Sequence, residues 1–98
     1  MGETAETHNH VRTRELVIKN RLGLHARAAA ALVRVAQQYE SDLAVEKDGQ
    51  SVDAKSVLSL IGLECPWGTR VLVRARGADS GPALEAVASL IENKFGEE

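Results

Sequence analysis

Residues 42–53 read Asp-Leu-Ala-Val-Glu-Lys-Asp-Gly-Gln-Ser-Val-Asp. Leu43 and Val45 alternate with polar neighbours over Asp42 to Lys47, the period of a strand with one buried face. Asp48-Gly49 is a dipeptide favoured in two-residue hairpin turns, because both positions tolerate positive φ. Gln50 to Asp53 is then the short partner strand. An isolated two-stranded hairpin is barely stable in water, so the rest of the chain must supply further strands and a cover.

Upstream, Ala26 to Tyr39 is alanine-rich and places Ala29, Leu32, Val33, Ala36 and Tyr39 at helical spacing. Before it, Arg14 to Lys19 carries Leu16-Val17-Ile18, too short an apolar run for a helix and suited to a buried strand. Downstream, Val57, Leu58, Leu60 and Ile61 predict a short helix over Lys55 to Leu63, with Asp53 or Ala54 just ahead and Gly62 near its end. Arg70 to Arg76 alternates Val71, Val73 and Ala75 against Arg70, Arg74 and Arg76, a strand with one wet side. Asp79-Ser80-Gly81-Pro82 offers a capping side chain and an early proline, and Leu84, Val87, Ala88, Ile91 and Phe95 extend a final helix to Gly96. The order β-α-β-β-α-β-α predicts an α+β open-faced β-sandwich, a four-stranded, mainly antiparallel sheet with three helices on one face.

The chain has 98 residues, enough for one core and too few for two independent ones. Twelve Lys+Arg against fourteen Asp+Glu leave a formal charge of −2, with no electrostatic case for nucleic acid or an anionic membrane as partner. No apolar run approaches the roughly 20 residues that span a bilayer. The single cysteine, Cys65, can make no internal disulfide, and together with a polar N-terminus lacking a secretory pattern it favours the cytoplasm. Residues 1–13 are expected to be a disordered extension and 14–98 the folded domain. His8 and His10, two apart in that extension, specify no metal site, and no cofactor or metal is expected.

Chemistry concentrates in Asn20-Arg21-Leu22-Gly23-Leu24-His25-Ala26-Arg27, at the entrance to the first predicted helix. The first amides of a helix have no intrahelical acceptor and, with the macrodipole, attract anions, while Arg27 can add charge-assisted bonds to phosphate oxygens. The same positive end disfavours an imidazolium, which leaves His25 with a nucleophilic ring nitrogen able to accept a phosphoryl group. Position alone also fits a simple capping or packed surface histidine.

Gly23-Leu24-His25-Ala26-Arg27 resembles the phosphorylation motif of the histidine phosphocarrier HPr family of the phosphoenolpyruvate-dependent phosphotransferase system. The resemblance extends over residues 14 to 98 and includes Lys55-Ser56-Val57; Asn20 to Gly23 and Ala83 to Val87 look more like the nitrogen-related branch than the sugar-uptake branch. It implies that His25 takes phosphate through Nδ1 from phosphorylated enzyme I, with phosphoenolpyruvate as ultimate donor, and passes it to an enzyme II A-type acceptor. It further implies that Arg27 contacts the phosphoryl group or a partner, and that Ser56 is the position an HPr kinase/phosphorylase modifies in some relatives. The chain would then be a carrier, not an enzyme. One departure matters: the family's usual proline after the arginine is Ala28 here, so a regulatory binding module with weak or no phosphotransfer is the alternative. A hydrolase using His25 has no paired carboxylate, serine or metal cluster beside it.

Partner docking is expected to use Arg21, Ala26, Lys55, Val57, Leu60 and Ile61, an apolar patch with a basic rim suited to an acidic partner, on a protein acting as a monomer. Ser56 is equally read as a helix cap. Cys65-Pro66-Trp67-Gly68 is a tight connection in which Cys65 is a packed residue rather than a nucleophile.

Overall fold

The computed structural model describes residues 11–97. Its elements are β1 (Val11–Val17), α1 (Ala26–Ala36), β2 (Asp42–Lys47), β3 (Gln50–Asp53), α2 (Val57–Leu63), β4 (Arg70–Arg76), α3 (Ser80–Glu92) and a 3-10 turn, Lys94–Gly96. The strands form one antiparallel sheet in the order β1-β4-β2-β3. The expected open-faced α+β sandwich is the architecture observed. The hairpin closes as its sequence predicts, with Lys47 opposite Gln50 and both turn residues at positive φ, Asp48 at 52° and Gly49 at 84°.

Register follows burial. Leu16 pairs with Val71, and Val45 pairs with both Val73 and Val52, so one sheet face presents aliphatic side chains to the helices. Leu32, Ala36, Leu60, Val87 and Ile91 meet them there and are essentially inaccessible. Arg74 lies on the other face, where it pairs with Glu46 at 3.2 Å. No helix among the described residues is long and apolar enough to cross a membrane.

Four local expectations need correction. The first strand begins at Val11: Val11, Arg12 and Thr13 pair with Arg76, Ala75 and Arg74, so only residues 1–10 of the expected extension, His8 and His10 included, lie outside the described residues. Helix α2 begins at Val57, not Lys55, and is capped by Ser56 in keeping with the capping reading of that residue; Asp53 accepts from the Lys55 amide at 2.9 Å in a turn one step earlier. Asp79 makes no side-chain cap on α3. Its carboxylate turns back to accept the amides of Glu40 and Ser41, each at 2.9 Å, and the Ser41 hydroxyl, which fastens the α1–β2 connection to the start of α3. Finally, α3 stops at Glu92, and the chain reverses through Lys94, Phe95 and Gly96, all at positive φ, with Phe95 buried in the core.

Candidate functional site

The loop between β1 and α1 is set by a side chain that closes its own turn. Asn20, fully buried, accepts the Gly23 amide on its carbonyl at 3.0 Å and donates from Nδ2 to the Gly23 carbonyl at 2.6 Å. Gly23 has φ of +72°, and a Cβ there would lie 2.5 Å from the Cys65 carbonyl oxygen and 2.8 Å from Pro66 Cα. Only glycine fits this crossing. The next amide, Leu24 N–H, donates to that Cys65 carbonyl at 2.8 Å. Lys47 steadies the same segment by donating to the carbonyls of Leu63 and Glu64 at 3.0 and 2.6 Å, the C-terminal end of α2. Burial pushes the Cys65 thiol up, consistent with a packing role.

His25 is the N-cap of α1. Its backbone is extended, its carbonyl accepts from Ala29 N–H at 2.8 Å, and its Nδ1 accepts from Arg27 N–H at 3.2 Å. The capping reading and the reactive reading therefore converge on one atom: Nδ1 holds a lone pair at the positive end of the helix. The ring is partly exposed, at 25% of its side-chain surface, so it is reachable from outside.

On the opposite ring edge, Nε2 lies 2.6 Å from Glu97 Oε2. Since Nδ1 accepts, Nε2 carries the proton and donates it to the carboxylate, which fixes the tautomer. Glu97 Oε1 accepts from Asn20 Nδ2 at 3.1 Å, so one asparagine braces both the loop and the carboxylate. Hydrogen bonding from Asn20 first, then from the His25 Nε2–H, together with the charge of Arg27, outweighs desolvation and holds the Glu97 carboxyl below the usual carboxylate range. Neither Glu97 nor the bracing role of Asn20 was expected from the sequence. An asparagine three residues before a glycine is a turn signal, but nothing local pairs Glu97 with His25.

Arg21, Leu22, Arg27 and Glu97 line a pocket of about 400 Å³. Of the expected docking residues, Ala26 is exposed at the first turn of α1, Ile61 is 37% exposed and Val57 packs partly against the core. Leu60 does not belong to the patch: it is 0% exposed. At 100° per residue, Val57, Leu60 and Leu63 share the inward arc of α2, which turns Leu58 outward at 82% exposure. Lys55 is also not brought to His25. Its ammonium donates to the Tyr39 carbonyl at 2.9 Å, beyond the C-terminal end of α1, an 11-residue helix on the order of 16 Å long. Ser56 caps α2, accepting from Ser59 N–H at 3.2 Å and donating to the Ser59 hydroxyl at 2.9 Å.

A family model described as the PTS HPr component phosphorylation site matches residues 12–93. The chain belongs to the HPr family. The phosphocarrier protein HPr of Xylella fastidiosa is 39% identical over 84 residues, covering 86% of this chain and 94% of that protein. The phosphocarrier protein NPr of Shewanella violacea is 36% identical over 84 residues, covering 86% and 92%. A crystal structure of HPr from Thermoanaerobacter tengcongensis matches with a TM-score of 0.86 at 42% identity, over 89% of this chain and 98% of that one. HPr-family proteins are phosphocarriers of the phosphotransferase system, so this chain is a carrier of phosphoryl groups rather than a catalyst with its own turnover.

Proposed function

We propose that His25 is the phosphoryl-carrying residue, loaded from phosphorylated enzyme I with phosphoenolpyruvate as ultimate donor and unloaded onto an enzyme II A-type acceptor. The observation that carries this reading is the pair of bonds on the ring, Nδ1 accepting at the helix N-terminus and Nε2 donating to Glu97. In the transfer, the Nδ1 lone pair forms a new bond to phosphorus while the donor's bond to phosphorus breaks and the donor keeps that electron pair. The ring, with Nε2 still protonated, gains positive charge, and Glu97 lies against it to offset that charge. The Arg27 amide, released from Nδ1, faces the phosphoryl oxygens, and the Arg27 guanidinium supplies a second contact. Transfer onward runs the same steps in reverse with a different partner.

Partners dock on the face formed by Arg21, Ala26, Leu58 and Ile61, with the partly buried Val57 at its inner edge and the chain acting as a monomer. A phosphate on Ser56, at the far end of α2, adds charge of roughly −1.5 to −2 at the edge of that face and weakens docking. The binding-module alternative rests on Ala28. That residue is 1% exposed within an α1 whose His25 cap is intact, which favours a working phosphate site. The test is incubation with enzyme I, magnesium and phosphoenolpyruvate: an acid-labile mass gain absent from His25→Ala supports the reading, and no gain with a competent enzyme I refutes it.

A further inference from the structure

We propose that Arg21 is a second guanidinium of the phosphate site, contacting the oxygens of a phosphoryl group carried by this chain; the inference rests on the reading of His25 above. Arg21 and Arg27 line one pocket with Glu97, whose carboxylate touches the His25 ring. Among the described residues neither arginine has a carboxylate within 4 Å, so both guanidiniums can take another anion.

Charge explains why one arginine is not enough. Glu97 is held against the His25 ring, 2.6 Å from Nε2, and its charge is met there. A phosphoryl group brings up to two negative charges, twice what the single guanidinium of Arg27 supplies. Arg21 makes up the difference. Its backbone is fixed inside the Asn20–Gly23 turn, which Asn20 closes from both directions, while its side chain is exposed and free to move over the pocket. Such a guanidinium presents planar paired donors matched to phosphate oxygens.

A residue that only steers an acidic partner acts through encounter, whereas one that touches phosphate acts in the isolated phosphoprotein. The experiment is a phosphorus-31 titration of the purified phosphoprotein, wild type against Arg21→Gln and Arg21→Lys, with no partner present. A neighbouring cation favours the dianion, so Arg21→Gln should raise the titration midpoint of the phosphoryl group by about one unit, and Arg21→Lys should fall between it and the wild type. An unchanged midpoint in Arg21→Gln, even with a raised KM toward enzyme I, overturns the proposal and leaves Arg21 a docking residue. If enzyme I does not load the wild type, the reading of His25 as its acceptor fails. Potassium phosphoramidate, which phosphorylates imidazoles chemically, still loads the ring, and the same titration then decides the role of Arg21.

Discussion

His25 and Glu97 stand 72 positions apart in the chain and share a 2.6 Å contact between Nε2 and Oε2. The contact exists because three consecutive residues at positive φ, Lys94 to Gly96, fold the chain end back over buried Phe95 toward the N-terminus of α1. Glu97 thus holds the orientation and the tautomer of the His25 ring from the side opposite Nδ1.

Replacing Glu97 by Gln keeps the shape and removes the charge that offsets a cationic ring. Phosphoryl transfer from enzyme I should slow by roughly tenfold, the rate equivalent of losing about 1.4 kcal/mol of a charge-assisted hydrogen bond, with little change in thermal stability. Rapid-quench kinetics measure this, and an unaltered rate would remove Glu97 from the site.

Gly23 is a point of steric necessity. Gly23→Ala forces a Cβ toward the Cys65 carbonyl and keeps an unfavourable φ, at a cost of at least about 1–3 kcal/mol. Denaturant unfolding should show that loss, and a variant as stable as the wild type would mean that the loop and the end of α2 are not in contact.

The two faces of α2 separate stability from docking. Leu60→Ala should cost about 2–5 kcal/mol by opening the core, whereas Leu58→Glu should stay within about 0.5 kcal/mol of the wild type and raise the KM toward an acidic partner. Equal destabilisation by both would contradict the observed orientation of the helix.

Asp79 gives the fold an acid-sensitive clasp. The Ser41 hydroxyl, then the amides of Glu40 and Ser41, hold its carboxyl below the ordinary value. A carboxyl depressed in the folded state contributes stability that is complete above its unfolded value, near pH 4, and is lost as pH falls through the folded one. Asp79→Asn should therefore be less stable than the wild type at pH 7, with the gap narrowing as pH falls below about 4. Unfolding midpoints across that range check the sign.

Much of this fold was legible because local signals agreed with it. The alternation around Leu43 and Val45, the Asp48-Gly49 turn and the aliphatic face of Arg70 to Arg76 each state a strand and its buried side. What misled was competition among polar residues for the same local bonds. Asp53, Ser56 and Asp79 can all cap a helix, and only tertiary packing shows that Asp53 closes a turn and Asp79 reaches across to Ser41. On α2, an apolar set at 57, 58, 60 and 61 covers too wide an arc to reveal which residue faces the sheet. The motif around His25 could be read directly, but Glu97 could not, since its contact depends on a left-handed reversal after α3.

Nδ1 of His25 is the atom expected to bear the phosphoryl group. The most direct measurement is phosphorus–nitrogen correlation spectroscopy on the 15N-labelled phosphoprotein after loading by enzyme I and phosphoenolpyruvate. A single coupling is expected, from phosphorus to His25 Nδ1, with Nε2 remaining the nitrogen nearest Glu97. Coupling to Nε2, or a phosphoryl group on any other residue, would contradict it.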